Sequence, residues 1–272
     1  MTKTAPGSPR NSRATPETWD YFRRCLFSPE RAAQDASAPG SLRPALWIYA
    51  AFLLASAVFY AKKPFDFPDR LAAFPRQAQG FWFWLKVMAW QPPLELAWIA
   101  FLLALFEWLK EGRLFWRLLG GVAATAAPFV LLLAYRYSNL GRGACGLLFA
   151  AWLGLLALWA RRAQPEFRRS TTSLMLALNA IGLALLLPMT AAVASGWATL
   201  FKASQIAGGL WMLACGTLGL RALGRSSGQA GLRLSRCAMA VLLSMFMQVA
   251  FAFILYMLGL VPIQILKALL YS

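Results

Sequence analysis

The sequence predicts an all-α protein: a polytopic transmembrane helical bundle of about seven spans, with six as the alternative, and a short amphipathic region at its N-terminus. Of the 272 residues, 60% are hydrophobic and only 14% are charged, and the mean hydropathy is +0.55. A soluble domain of this size carries about a quarter charged residues. Because one soluble core could not bury so much apolar side chain, we expect an integral membrane protein.

The first 43 residues are polar and are predicted to form a cytoplasmic tail ahead of a transmembrane domain at 44–272. Residues 1–14 are rich in Ser, Pro, Thr and Arg, so we expect them to be disordered. Residues 15–36 are predicted to form two short helices. At Thr15 and at Ser28, a capping residue is followed by a proline and a glutamate, which is typical of a helix start.

The first of these helices is predicted to be amphipathic. Trp19, Phe22 and Leu26 share one helical face, and Arg23 and Arg24 lie beside it. This pattern is typical of a helix that lies on an anionic membrane surface. Docking onto the protein's own inner loops or onto a partner protein would use the same face, and the sequence leaves these alternatives open.

Seven apolar segments follow, each near the roughly 20 residues that a helix needs to cross a membrane. They are residues 44–61, 93–109, 117–135, 143–160, 172–195, 206–223 and 236–260. The first, fourth and sixth are short or contain polar residues, so six spans is the alternative count.

The loop at residues 62–92 has an unusual composition, with Trp82, Trp84 and Trp90 close together. Tryptophan favours the headgroup level of a membrane, where its ring is buried and its N–H group is hydrated. We therefore predict a short helix on the outer surface. The alternative is an aromatic platform that grips a substrate.

The distribution of Lys and Arg predicts the orientation, because basic loops resist translocation. With the N-terminus inside, eighteen of the 27 basic residues lie in the tail and the inner loops, and nine lie outside. This bias places the N-terminus in the cytoplasm and, with seven spans, the C-terminus outside. We expect a bacterial inner membrane, whose anionic headgroups would pair with the net charge of +17.

Few polar side chains fall within the spans. Glu95, Glu107 and Arg136 lie near span ends and are interpreted as interface anchors. Asn179 and Gln248 lie deeper and are expected to hydrogen-bond between helices, each contributing about 0.6–2 kcal/mol. Glu95, Asn179 and Gln248 are the candidate intramembrane polar residues. The sequence shows no cluster of acids at mid-membrane, which ion-coupled transporters normally have.

Small residues four positions apart predict close helix packing and self-association. They are Gly120 with Ala124, Gly121 with Thr125, and the run Gly146, Ala150 and Gly154.

The composition excludes several classes of site. Without histidine there is no Ser-His-Asp triad and no His-liganded zinc. The four cysteines are scattered, which predicts no metal or redox site. No aspartate lies in a span, which excludes an intramembrane aspartyl protease. We therefore predict no catalytic residue, cofactor or metal, and no nucleic-acid partner.

Three stretches resemble the Yip family, the Ypt/Rab-interacting membrane proteins and their prokaryotic relatives. They are LFSPERAAQD at 26–35, EGRLFWRLLGGVAATAAP at 111–128, and GGLWMLACGTLGLRALGRSS followed by RCAMAV within 208–241. The family usually has five spans, whereas residues 143–195 add two here. The resemblance implies a cytoplasmic N-terminal region, a C-terminus outside and a non-enzymatic role.

The first expectation is accordingly a Yip-like protein that organises a membrane or binds other membrane proteins. The alternative is a transporter or lipid-handling permease, which Asn179, Gln248 and the basic outer loop favour. A third interpretation is an intramembrane enzyme for lipid-linked substrates, in which Glu95 and the loop arginines would handle a phosphate.

Overall fold

The computed structural model describes residues 16–64, 67, 80–138, 141–227 and 233–271, which form helices and no strand. The all-α prediction is thus confirmed. The expected disorder of residues 1–14, the cap at Thr15, and residues 65–66 and 68–79 of the loop at 62–92 lie outside the described residues.

The described residues form eleven helices. They are α1 Thr18–Phe27, α2 Pro29–Ala36, α3 Leu42–Lys62, α4 Phe81–Met88, α5 Gln91–Leu109, α6 Leu114–Tyr137, α7 Arg142–Ala160, α8 Pro165–Ser195, α9 Ala198–Ser226, α10 Leu234–Met257 and α11 Ile263–Tyr271. By length and composition, seven spans are long and apolar enough to cross a membrane. Six of them contain a predicted segment, and the last, Leu234–Met257, ends three residues before the predicted segment 236–260 does. The prediction of a multi-pass membrane protein is confirmed, with seven spans rather than six.

The second span differs from its prediction. Trp82 and Trp84 belong to α4, which leads through a turn at residues 89–90 into α5, so that Phe81–Leu109 forms a 29-residue span. The two prolines of α5 fall in its first turn, where they leave the helical path intact. The expected surface helix is therefore the first part of a membrane-spanning unit. Trp84 is buried and stacks on Tyr60, with ring centroids 4.8 Å apart, while Trp82 is exposed.

The core of the bundle is built around α5, α8 and α10. In the second span, 61% of the residues in the most apolar 18-residue stretch are buried. In α6 and in α7, the corresponding share is 17%. α10 packs against α5, α6 and α9, while α8 packs against α3 and α9. Fully buried side chains from the three central helices fill the middle, among them Phe101, Phe106, Leu174, Leu178 and Met247.

The N-terminal helices dock onto the bundle itself. α1 and α2 pack on α8 and α9. They cover one end of the bundle, the tail end. The Tyr21 hydroxyl lies 3.2 Å from Ser173 Oγ, and the Trp211 indole donates a hydrogen bond to the carbonyl oxygen of Leu26 at 3.1 Å. Arg24 joins the two helices through an ion pair with Asp35 at 2.7 Å. Self-docking is thus the arrangement that the structure shows.

The buried face of α1 is rotated relative to the prediction. Tyr21 and Cys25 are 0% exposed and Leu26 is buried, whereas Trp19 is 66% exposed and Arg23 is exposed. Burial raises the pKa of both the Tyr21 hydroxyl and the Cys25 thiol, so each group stays neutral in the docked tail. The first helix begins at Thr18, with Glu17 in the cap position, and the second begins at Pro29 as predicted.

The predicted small-residue contacts divide into two groups. A methyl group added at Gly120 would lie 2.7 Å from the Trp108 ring, and Gly121 and Gly146 also face close neighbours. Ala150 and Gly154 face outward, and nothing lies within 4 Å of a Cβ at Gly154. The run at 146–154 therefore contributes to packing within this chain only at its first residue.

The close approach of α8 and α9 yields the first prediction. A Cβ at Gly219 would lie 2.7 Å from Leu174 Cδ2, and Leu174 is 0% exposed and has no free space to move into. Gly219→Leu should therefore destabilise the bundle by about 1–3 kcal/mol, the usual cost of overpacking. The measurement is the melting temperature of the purified protein in detergent.

Gly154→Leu is the matched control, because the same side chain there would face the surroundings of the bundle. Equal melting temperatures for the two variants would contradict the packing described for α8 and α9.

Candidate functional site

The three candidate intramembrane polar residues converge at one point. Asn179 Nδ2 donates a hydrogen bond to Glu95 Oε1 at 3.2 Å, and Gln248 Nε2 donates to Glu95 Oε2 at 3.2 Å. The carboxyl group of α5 is thus held between amides from α8 and α10. These are the same three helices that form the core.

Glu95 lies at the centre of its span and is not the interface anchor expected from the sequence. Fourteen residues of Phe81–Leu109 precede it and fourteen follow it. Its side chain is 4% exposed and forms the two amide hydrogen bonds, so it does not extend to an interface. The expectation failed because the apolar segment was counted from residue 93, whereas the helical span begins at Phe81.

Among the residues that the structure describes, none compensates the charge of Glu95 through an ion pair. Among the described residues, the two ion pairs are Arg24–Asp35 and Glu107–Lys110, neither of which includes Glu95. Tyr49 of α3 is near enough to interact electrostatically with this carboxyl group, and its buried hydroxyl forms no hydrogen bond within the described residues. The cluster therefore combines a carboxyl group, two amides and an unsatisfied hydroxyl.

A cavity of about 380 Å³ opens beside this cluster. Its lining comes from five helices: α3, α5, α8, α9 and α10. Besides Glu95, Asn179 and Gln248, its polar lining includes Ser56, Tyr60 and Gln205. Sequence reasoning missed Tyr49, Ser56 and Gln205, because a single hydroxyl or amide in an apolar helix gives no signal above background.

Glycines shape the wall of the cavity. A Cβ at Gly182 would lie 2.6 Å from the Phe52 ring, so glycine is needed for the ring to lie there. A Cβ at Gly208 would likewise lie too close to Leu185, at 2.3 Å from Cδ1. Gly209 also lines the cavity, and nothing lies within 4 Å of a Cβ there. The remaining wall includes three flexible methionines, which adapt readily to the shape of a ligand. They are Met189, Met212 and Met245.

The other predicted polar residues lie away from this site. Glu107 pairs with Lys110 at 3.7 Å, and Arg136 is exposed at the far end of α6. The four cysteines are buried and free, and within the described part of the chain no three His, Cys, Asp or Glu side chains group as metal ligands.

No protein-family model matches this chain, and neither a curated protein nor a solved structure matches it. The function is therefore inferred from the site alone.

The hydrogen bonds to Glu95 yield the second prediction. Asn179→Leu should destabilise the protein by about 1–3 kcal/mol, because it leaves one oxygen of a buried carboxyl group unsatisfied. The same substitution in a Glu95→Leu background should cost much less, since the acceptor is then absent. A double-mutant cycle of unfolding free energies in detergent measures the difference.

The same cycle with Gln248→Leu is the parallel case. Additive effects in both cycles would mean that the amides and the carboxyl group are not coupled.

Proposed function

We propose that this protein is a membrane carrier that binds a small cationic solute in the Glu95 cavity. The observation that carries the proposal is the carboxyl group of Glu95, which is buried at the centre of its span and lines the cavity. An ionisable side chain is costly inside a membrane, so it is a functional candidate wherever it occurs. The proposal includes no enzymatic step.

The chemistry of the cluster favours a cation. Both oxygens of Glu95 accept hydrogen bonds from amide groups, which stabilises the carboxylate. No basic side chain among the described residues balances this charge. A bound cation would supply the missing charge, and oxygens from carboxylate, amide and hydroxyl groups are suitable ligands for an alkali ion or an ammonium group.

The volume of the cavity restricts the solute to a small one. About 380 Å³ is at the lower end of the range for small-molecule sites, roughly 300–1,000 Å³. The solute would enter beside Gly209, where nothing lies within 4 Å of a Cβ.

A binding experiment tests the proposal. The purified protein is incubated in detergent with Na⁺, K⁺, choline or ethylammonium, and its melting temperature is recorded. At least one of these cations should raise the melting temperature of the wild type, because a ligand that binds only the folded state stabilises it. Glu95→Gln removes the charge and should abolish the shift.

Glu111→Gln is the matched control, because it removes the same charge from an exposed position after α5. The cation that stabilises the wild type should also drive a current across proteoliposome membranes, and Glu95→Gln should abolish that current. The carrier proposal fails if none of the four cations shifts the wild type, or if Glu95→Gln responds as the wild type does.

For the orientation we propose a cytoplasmic N-terminus, an external C-terminus and a bacterial inner membrane. The support is the bias of Lys and Arg towards the tail and the loops on its side. The docking of α1 and α2 adds to this, because it places the basic tail against the ends of α8 and α9 that carry Arg169 and Arg225.

A second candidate is the Yip-like adaptor role, which the free face of the docked tail favours. Trp19 stacks on Phe22 at 5.4 Å, and Trp19 and Phe27 are 66% and 74% exposed. Arg23 lies between them and is also exposed. Exposed aromatic and arginine side chains are typical of the centres of protein interfaces.

Substitution tests the adaptor role better than deletion, because residues 15–36 include side chains that pack into the bundle. The variant Trp19→Ala/Arg23→Ala, which leaves the contact of Phe27 with Trp211 intact, should lose any partner captured by in-cell crosslinking while its melting temperature stays unchanged. Glu30→Ala/Arg31→Ala, on the exposed side of α2, is the control. Identical crosslinked partners in all three proteins would contradict an adaptor role for this face.

A further inference from the structure

A second cavity, larger and separate from the Glu95 site, lies between α6, α7 and α10. Its volume is about 950 Å³. One part of its wall is apolar and includes Phe129 and Leu132 of α6 and Phe253 of α10. The other part is polar and lies where α6 ends and α7 begins, with Tyr135, Arg136, Arg142 and Tyr256.

Within the described residues, neither arginine has an acidic partner. Residues 112–272 contain one acidic residue, Glu166, at the start of α8, and α8 begins at the tail end of the bundle. Arg136 and Arg142 lie at the opposite end, and neither forms an ion pair with a described residue. Two positive charges therefore face one groove, and no described side chain supplies a counter-charge.

One of these arginines is already oriented. Arg142 Nε donates a hydrogen bond to the Tyr135 hydroxyl at 3.3 Å, which leaves its two terminal nitrogens for a ligand. The guanidinium also lies close to Gly259, where a Cβ would be 3.9 Å from Nη1. A planar guanidinium is suited to binding the oxygens of a phosphate group.

We propose that this groove binds one anionic phospholipid, with the phosphate between Arg136 and Arg142 and an acyl chain along Leu132 and Phe253. The level of the arginines supports this occupant. Arg136 is the second-last residue of α6 and Arg142 is the first of α7, so both lie where a span reaches the headgroup region. The apolar lining of α6 lies about one to two turns deeper, as an acyl chain does.

Two further points favour an anionic phospholipid over other occupants of the groove. The groove is formed by α6, which has little of its surface buried, so it opens towards the hydrocarbon that surrounds the bundle. A soluble anion would use the arginines but not the apolar wall, and a neutral lipid would use the wall but not the arginines. An anionic phospholipid uses both.

The experiment compares lipid retention by the delipidated protein in detergent. Dioleoylphosphatidylglycerol and dioleoylphosphatidylcholine are added separately, and bound lipid is counted by native mass spectrometry. The wild type should retain phosphatidylglycerol more tightly. Arg136→Gln/Arg142→Gln should weaken this retention by about 25-fold, since a basic residue at a lipid surface contributes roughly fivefold.

Arg161→Gln/Arg162→Gln is the matched control, because it removes the same charge at the opposite end of α7. Leu132→Trp fills the apolar part and should also reduce phosphatidylglycerol retention, which separates a lipid from a free phosphate. The proposal is overturned if the wild type retains both lipids equally, if the first double variant retains phosphatidylglycerol as the control does, or if Leu132→Trp has no effect.

Discussion

A carboxyl group placed in hydrocarbon must obtain its hydrogen bonds from the protein, and this constraint organises the centre of the bundle. Glu95 obtains them from Asn179 and Gln248, so α5, α8 and α10 must meet at one level. Close packing of the apolar side chains also restricts how the three helices align. The two hydrogen bonds add a further requirement, because they form only when Asn179 and Gln248 lie level with the carboxyl group, and the cavity forms beside this cluster.

The periphery obeys a different rule. α6 and α7 bury little surface in the bundle, and their outward residues are apolar, as expected of helices that face lipid. Since lipid tails are as apolar as leucine, such helices gain little by packing more tightly. The same looseness leaves the groove at Arg136 and Arg142 open. The central cavity thus depends on hydrogen-bonded polar side chains that pack closely. The peripheral groove forms because α6 and α7 pack loosely.

The sequence predicted the helices far better than their mutual arrangement. Seven spans follow from apolar segments of sufficient length, which is a local property. The side chains of Asn179 and Gln248 were recognised as deep because their neighbours are apolar, but their convergence on Glu95 depends on helix register, which one sequence does not encode visibly. Glu95 was misplaced for a local reason: the apolar segment was counted from residue 93, although the prolines fit the first turn of α5 and the span begins at Phe81. The buried face of α1 differs from the prediction because Tyr21 and Cys25, which are less apolar than Trp19, are the residues that are buried against the bundle.

The docked tail and the cavity both contact α8 and α9. Ser173, which contacts Tyr21, lies six residues before Asn179 on α8, and Trp211, which binds the Leu26 carbonyl, precedes the cavity residue Met212 on α9. α8 and α9 are 31 and 29 residues long, well beyond the roughly 20 needed to cross a membrane, and both pack against the docked tail. A partner that displaced α1 would remove the hydrogen bonds at Ser173 and Trp211 together. The helices released would be the same two that form one side of the Glu95 cavity, so partner binding and solute binding would act on one pair of helices.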